Sequence, residues 1–343
     1  MKKLSWAPPS DWVKITTIDA HTAGEPLRVI LSGYPEFLGK TILEKRRYAK
    51  QELDFLRTAL MWEPRGHADM SGCVITEPET EDGTIGVIFM HNEGYSTMCG
   101  HGVIGLAKVA LDTGLLHLEG DLPVIKMDTP AGRVTATAHR KNGLVDQVSF
   151  INVPSFVYAL DQTIDITGLG KIRYDVAFGG AFYAFIEVGD VKLNLTAQDF
   201  RHLIDMGIQL KRAIGEELNI EHPFQEDLSF LYGIIFIDKA LNPENHSRNV
   251  CIFAEGEVDR CPTGTGLSAR AALHYARNEL KLGEVFTVES ILGTTFSAEI
   301  LGTTTFGPYH AVIPKVTGSA NITGVNEWLI DPEDPLRYGF VLR

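Results

Sequence analysis

The sequence predicts an α+β fold of two related halves, each a strand-rich open barrel around one buried central helix. Two short motifs carry this prediction, MCGHG at Met98–Gly102 and DRCPTGTG at Asp259–Gly266. Each places a small nucleophilic residue, Cys99 or Thr263, directly before a Gly-x-Gly and a helical segment, and the second lies 164 residues after the first. A turn into a helix that occurs twice, among similar flanking segments, indicates an internal duplication that holds one ligand between its halves.

Each half opens with a predicted pair of strands. Ile15–Ile30 contains two extended runs interrupted at Thr22–Pro26. Tyr174–Val188 repeats this pattern, with its interruption at Gly179-Gly180. Glycine and proline at these interruptions indicate a bulge or a tight turn. The two pairs therefore occupy corresponding places in the two halves.

Two helical segments follow in each half. The first has mixed charges and covers Thr41–Leu60 or Asp199–Leu218. The second follows the Cys99 or Thr263 turn and covers Val103–Leu111 or Leu267–Leu280. Val103–Leu111 is apolar on nearly every side, and a helix without a polar face has to be buried all round. We therefore expect this second helix to form the centre of its half.

Hairpins are predicted after each central helix. Pro123–Ala138 turns around Ala131-Gly132, and Val285–Ile300 turns around Leu292-Gly293. Threonine, valine and phenylalanine on either side of a glycine favour strands joined by a turn. Because strands outnumber helices, the pattern is unlike a doubly wound parallel sheet.

Composition and charge exclude several classes of function. The 343-residue chain has a net charge of −13, and its one basic cluster is Lys45–Arg47, which argues against nucleic acid or an anionic membrane as partner. Met1–Pro9 lacks the apolar run of a signal peptide, and Phe230–Ile237 is too short to cross a bilayer. The four cysteines show no paired metal-ligand spacing. We expect a cytoplasmic protein with reduced thiols and no metal site.

Cys99 has a local chemical reason to be a base or nucleophile. A helix N-terminus presents unpaired N–H groups and a partial positive charge, which favour a thiolate and lower a cysteine's pKa. The same donors bind a carboxylate where glycine lets the main chain approach. Cys73 and Cys251 lie in apolar, strand-like surroundings and are interpreted as core, and Cys261 need not face the same site as Thr263.

Two further residues near the turns are candidates for ligand binding. His101 follows Cys99 by two residues and is placed to polarise the thiol or to contact a ligand. Asp259 precedes Thr263 by four residues, where it can cap the helix or bind a cationic amine. GHGVIG at Gly100–Gly105 only superficially matches the dinucleotide-binding pattern, since no βαβ unit surrounds it.

Five motifs spread over almost the whole chain resemble the proline racemase family, whose members have the diaminopimelate-epimerase-like fold. These motifs are Asp19–Pro26, Glu63–His67, Met98–Gly102, Phe178–Gly180 and Asp259–Gly266. The resemblance implies chemistry at the α-carbon of a small imino acid without any cofactor. Racemases of this family carry two cysteines, one on each face of the substrate, which remove and return the α-proton.

The same resemblance implies the residues that hold the substrate. Backbone donors of Gly100, His101, Gly264 and Thr265 would bind its carboxylate. Asp259, together with His101, would lie near its ring nitrogen. These implied contacts make the two glycine-rich turns parts of one site.

The sequence departs from the racemase pattern at Thr263, where racemases have cysteine in a DRSPCGTG-like motif. A Cys/Thr pair in this family implies dehydration of trans-3-hydroxy-L-proline to pyrroline-2-carboxylate. The physical reason is that a threonine hydroxyl is a far weaker acid and base than a thiol near neutral pH. Cys99 would then remove the α-proton, and Thr263 would assist or orient the departing 3-hydroxyl, directly or through a water.

Other functions stay open at this stage. One is a proline racemase or 4-hydroxyproline 2-epimerase in which Cys261 or a water supplies the second proton. Another is a non-catalytic imino-acid-binding protein. The expected half-domains are residues 1–165 plus 320–343, carrying Cys99, and residues 166–319, carrying Thr263. The resemblance also makes a homodimer an option.

Overall fold

The computed structural model describes residues 6–342, which form mainly strands. The α-helices in this range are α1 Ile42–Glu52, α2 Asp54–Met61, α3 Gly100–Asp112, α4 Phe200–Glu217 and α5 Gly264–Ala276. The strands are β1 Val13–Thr22, β2 Glu25–Ser32, β3 Ser71–Thr76, β4 Ile85–His91, β5 Gly94–Tyr95, β6 Val124–Thr129, β7 Gly132–Lys141, β8 Leu144–Ile151, β9 Ser155–Ile166, β10 Gly170–Phe178, β11 Phe182–Glu187, β12 Leu231–Asp238, β13 Ser247–Phe253, β14 Glu257–Val258, β15 Val285–Glu289, β16 Thr295–Phe306, β17 Tyr309–Gly318 and β18 Ala320–Ile330.

Within residues 6–342, none of the helices combines the length and the apolar character that a membrane span needs. The stretch Met1–Pro9, predicted to contain no signal peptide, begins outside the described residues.

One set of strands, the first ring, surrounds α3. Its neighbours pair in the order β18, β1, β2, β3, β4, β6, β7, β8 and β17. β17 and β18 are separated only by Ser319, so the chain itself returns this series to its start. The two strands predicted on either side of Thr22–Pro26 pair with each other as β1 and β2, and the hairpin predicted around Gly132 is confirmed as β6–β7.

The second ring surrounds α5 and closes by hydrogen bonds alone. Its strands pair in the order β9, β10, β11, β12, β13, β15, β16 and β17, and β17 pairs back to β9 through Ala311 and Val312. The prediction of an open barrel is therefore wrong here. The reason is that β17 is long enough to pair with β16 along its length and with β8 and β9 on its other edge.

The two rings repeat one order of strand directions. From β1 to β8 and from β10 to β17, successive pairs are antiparallel, parallel, antiparallel, parallel, antiparallel and antiparallel. α3 and α5 enter at the same place in this order, and each has 13 residues. All eighteen strands of residues 6–342 nevertheless belong to one connected sheet. The half-domain boundaries at residues 165 and 319 stay a prediction.

The central helices are buried as predicted, but their boundaries differ from the sequence expectation. Both begin at the Gly-x-Gly, at Gly100 and Gly264, because the glycines belong to the first turn. Burial extends through Leu111 in α3, with Lys108 as the exception, and through Leu273 in α5. The helix predicted over Thr41–Leu60 is instead two helices, α1 and α2, which meet at the buried Leu53.

The first turns of α3 and α5 touch through their backbones. A Cβ atom on Gly100 would lie 2.7 Å from the Cα of Gly264, and one on Gly264 would lie 3.0 Å from the Cα of Gly100. Neither distance leaves room for a side chain. The glycines therefore bring two helix N-termini together at one point.

Gly100→Ala should destabilise the protein, because the added methyl group meets backbone that cannot rotate away. Overpacking of this kind costs about 1–3 kcal/mol. The matched control is Gly215→Ala in α4, where an added Cβ meets nothing within 4 Å. That control should raise the free energy of unfolding by about 0.5–1 kcal/mol because alanine favours a helix. Denaturant unfolding measures both, and equal stability of the two variants would contradict the close contact.

Candidate active site

The contact between the two helix N-termini forms part of the wall of a cavity. All seven residues predicted for the site line this cavity, namely Cys99, Gly100, His101, Asp259, Thr263, Gly264 and Thr265. Its remaining wall comes from both rings and their hairpins: Ser71, Met90, His91, Ser96, Met98, Tyr183, Tyr232, Cys251 and Phe253. The structure thus brings together residues that lie far apart in the chain. Their individual roles stay predictions.

Cys99 lies immediately before α3, with its Sγ atom 3.3 Å from Nδ1 of His101. Burial raises the pKa of the Cys99 thiol well above its usual value, against a hydrogen bond from the backbone N–H of Gly102. The negative charge of Asp259 raises this pKa further. The expected lowering of the Cys99 pKa is therefore wrong, because lost hydration outweighs the helix N-terminus.

Thr263 occupies the corresponding position before α5, but its backbone differs from that of Cys99. It has φ 63° and ψ 88°, in the left-handed region that β-branched residues avoid. Its Oγ1 is buried and meets the geometric criteria of a hydrogen bond with no residue within 6–342, and it interacts weakly with the Cys251 thiol. A strained residue with a weakly held buried hydroxyl at a cavity wall is typical of a group that contacts a ligand.

The helix N-termini supply donors for an anion. The first-turn N–H groups of α3 and α5 have no partner inside their own helices, and those of Gly100, His101, Gly264 and Thr265 belong to this set. Burial lowers the pKa of His101, partly opposed by the charge of Asp259, and this favours a neutral imidazole. Two converging helix ends beside a neutral histidine suit a carboxylate.

Two acidic residues lie at or near the cavity: Asp259 lines it, and Glu25 is close enough to interact with Asp259. Asp259 is buried, and its Oδ1 accepts a hydrogen bond of 2.8 Å from the backbone N–H of Cys261. Burial, followed by the charge of Asp259, raises the pKa of the nearby Glu25 well above its usual value. The backbone N–H of Arg260 donates to Glu25, whose other carboxyl oxygen has no partner in the described part of the chain. This surplus of acidic groups suits a cationic amine.

The other cysteines occupy different surroundings. Cys73 is fully buried, as predicted, and burial raises the pKa of its thiol. Cys251 is also buried, but it lines the cavity, so the interpretation as core alone is incomplete. Cys261 does not line the cavity, and its Sγ accepts a hydrogen bond from the N–H of Thr263 at 3.3 Å.

Three potential metal-ligating atoms lie close together near the cavity. Those of His101, Asp259 and Cys261 are all within 4.8 Å of one another. Each of these residues already makes a hydrogen bond within the site: His101 to the Cys99 thiol, Asp259 to the N–H of Cys261, and the Cys261 sulfur to Thr263. These contacts account for the cluster as part of the framework of the turns.

One pair at the cavity was missed by the sequence analysis. Nδ1 of His91, at the end of β4, lies 2.7 Å from a carboxyl oxygen of Glu257 in β14. The two residues are 166 positions apart, so no local spacing connects them. The available signal was the repeat itself, since β5 and β14 each complete a short hairpin directly before Cys99 or Thr263.

The arrangement has a clear chemical capacity. Converging backbone donors can hold a carboxylate, and a buried aspartate can hold an amine. A thiol and an alcohol border the same cavity from the starts of two different helices. Such a site can bind a small zwitterion and remove a proton from its α-carbon.

Known proteins agree with this capacity. A protein of Colwellia psychrerythraea named trans-3-hydroxy-L-proline dehydratase is 48% identical over 346 residues, covering 100% of this chain and 98% of its own. A proline racemase of Clostridioides difficile is 42% identical over 329 residues, which cover 96% of this chain and 98% of the racemase.

A crystal structure of a hydroxyproline epimerase from Agrobacterium vitis, with bound trans-4-hydroxy-L-proline, superimposes with a TM-score of 0.91 at 31% identity, and the match covers 96% of each chain. The sequence profile described as proline racemase matches residues 17–341. The fold of this chain, a strand-rich closed barrel with few helices, agrees with the fold of the epimerase. The chain therefore belongs to the proline racemase family.

Proposed function

We propose that this protein is a hydro-lyase that dehydrates trans-3-hydroxy-L-proline to pyrroline-2-carboxylate without a cofactor. The observation that carries this proposal is the asymmetry of the cavity, with the Cys99 thiol at one helix start and the Thr263 hydroxyl at the other. The dehydratase name of the 48% identical relative supports the same substrate and reaction.

The substrate is a zwitterion, and the proposed site binds both of its charges. Its carboxylate accepts hydrogen bonds from the N–H groups at the starts of α3 and α5, while its ammonium group lies near Asp259. The positive charge of the substrate's ammonium group favours the thiolate form of Cys99. It thereby offsets the burial that raises the pKa of this thiol. Ligand binding in this way turns a neutral thiol into a base.

The proposed reaction begins when the Cys99 thiolate removes the α-proton. The electron pair of that C–H bond forms the C2=C3 double bond, and the C3–O bond breaks with its electrons on oxygen. The hydroxyl leaves as water once it has gained a proton. The resulting enamine tautomerises to pyrroline-2-carboxylate.

Thr263 explains why the outcome is elimination and not inversion. An alcohol cannot return a proton to the opposite face of the α-carbon at a useful rate near neutral pH. Its hydroxyl, held only weakly by the Cys251 thiol, can orient the ring or a water that assists the departing hydroxyl.

A racemase or 4-hydroxyproline 2-epimerase is the rival, and the epimerase and racemase relatives favour it. It needs a second proton donor on the Thr263 side. Cys261 is a poor candidate because its sulfur already accepts the N–H of Thr263 and lies outside the cavity lining.

We further propose two diaminopimelate-epimerase-like half-domains, residues 1–165 plus 320–343 and residues 166–319. The repeated order of strand pairs supports this division, as does the pairing of β18 with β1. A homodimer and a cytoplasmic location are likewise proposals, resting on the family resemblance.

Purified protein should convert trans-3-hydroxy-L-proline to pyrroline-2-carboxylate, while L-proline and trans-4-hydroxy-L-proline should remain uninverted. Proton NMR in deuterated water follows both reactions. Cys99→Ser should lower dehydration by at least about 100-fold, because it removes the base. Cys73→Ala, which removes a thiol outside the cavity lining, is the matched control and should remain active. Inversion of an imino acid without dehydration would overturn the proposal in favour of the rival.

Alkylation of Cys99 by iodoacetamide should be slow at neutral pH and should still accelerate about tenfold per pH unit above about pH 8.5, the usual pKa of a cysteine thiol. The sign follows from burial: it raises the pKa of this thiol, so the reactive thiolate is the minor form until the pH becomes alkaline. Peptide mass spectrometry identifies the modified cysteine. A rate that is already maximal at about pH 7 would mean that the helix N-terminus dominates after all.

Thr263→Cys should add inversion at the α-carbon of proline or hydroxyproline, and exchange beyond that which Cys99 alone gives, because a thiol then faces the carbon from the second side. Thr263→Ser is the matched control and should add neither. Deuterium incorporation and chiral chromatography measure the two effects. If the cysteine variant gains no exchange beyond that of the serine variant, residue 263 does not face the α-carbon.

A further inference from the structure

The stereochemistry of the proposed substrate restricts where its leaving group can go. In trans-3-hydroxy-L-proline the 3-hydroxyl and the α-hydrogen both lie on the ring face opposite to the carboxylate. If Cys99 removes the α-hydrogen, as the proposed function requires, the hydroxyl leaves from the same face. Thr263 would approach the other face and help only indirectly, so the direct proton donor has to be another residue.

Hydroxide is a poor leaving group, and a positioned acid speeds its departure. Several polar side chains around the cavity already have hydrogen-bond partners. His101 contacts the Cys99 thiol. The hydroxyls of Tyr183 and Tyr232 are hydrogen-bonded to Thr265 and Ser96, and burial raises the pKa of both tyrosines well above the usual value. The imidazole of His91 therefore remains as the candidate for this acid.

His91 is held in one orientation at the cavity wall. Its Nδ1 is engaged at 2.7 Å by Glu257, and its ring packs edge-on against Phe253 and Tyr232 at centroid distances of 5.5 and 6.3 Å. The ring's hydrogen bonds within residues 6–342 are all at Nδ1, which the backbone N–H of Glu93 also approaches, at 3.3 Å. The ring lines the cavity, and Nε2 is left for another partner.

The burial and the contacts of Glu257 allow it to stabilise the imidazole of His91. It is completely buried, and the oxygen that contacts His91 also accepts the backbone N–H of Glu93 at 3.2 Å. Its second oxygen has no partner in the described structure. A carboxylate beside Nδ1 fixes the tautomer and stabilises the imidazole when it carries a proton on each nitrogen.

We propose that His91, positioned by Glu257, is the general acid that protonates the departing 3-hydroxyl. As the thiolate of Cys99 takes the α-proton and the C2=C3 bond forms, the C3–O bond breaks and Nε2 of His91 transfers its proton to that oxygen. Water leaves, Cys99 is a thiol, and His91 is neutral because it keeps its Nδ1 proton, which it donates to Glu257. Transfer of one proton from the thiol to the imidazole, through solvent, restores the starting state.

His91→Gln tests the proposal through the leaving group. Loss of the acid should lower dehydration of trans-3-hydroxy-L-proline by about 100-fold or more. Elimination from trans-3-fluoro-L-proline should change little, because fluoride is a weak base that needs much less help from an acid. Exchange of the α-hydrogen in deuterated water, which depends on Cys99, should also persist. Glu257→Gln should also lower dehydration of trans-3-hydroxy-L-proline while changing elimination from the fluorinated substrate little, and its loss of dehydration should be smaller than that of His91→Gln.

His274→Gln is the matched control, because His274 also pairs with a carboxylate through Nδ1, at 2.7 Å from Glu279, but lies at the other end of α5. It should leave both substrates unaffected. Undiminished dehydration by His91→Gln would overturn the proposal and assign the proton to the Cys99 thiol itself. An equal loss with both substrates and of exchange would also overturn it, as a structural effect. Absence of dehydration in the unaltered protein would instead refute the proposed function.

Discussion

The backbone contact between Gly100 and Gly264 is the constraint on which the rest of the site depends. Two helices approach each other at their N-termini, where both carry partial positive charge and unpaired N–H groups. Like charges would favour separation, so the contact has to be enforced by the rings that enclose the helices. An anion placed between the helix ends relieves that repulsion, which gives the protein a physical reason to bind a carboxylate there.

The helix ends favour a bound anion, whereas the acidic residues at and near the cavity favour a bound cation. Cys99, Glu25 and Asp259 are close enough to influence one another, and burial disfavours charge on both the thiol and Glu25. These surroundings therefore favour a neutral thiol. Under the proposed function a bound cation changes this balance, so the groups proposed to recognise a zwitterion would also control when the base becomes available.

Contacts between segments far apart in the chain hold these groups in register. His91 meets Glu257, Arg260 forms an ion pair of 2.8 Å with Asp69, and the N–H of Arg260 donates to Glu25. Each contact links a residue before position 100 to one after position 250, beside the cavity. The catalytic geometry is thus stabilised by polar contacts across the rings as well as by their apolar interiors.

Local sequence determined much of this protein: both central helices, the glycine turns, the hairpins, and the asymmetry between Cys99 and Thr263 follow from residues within a few positions of one another. Tertiary structure alone decided the closed second ring, because β17 meets β9 across more than 140 residues of chain. It also decided the direction of the Cys99 pKa shift, since burial is a property of the packed whole. The His91–Glu257 pair has the same origin, because its members meet only when both hairpins fold onto one cavity.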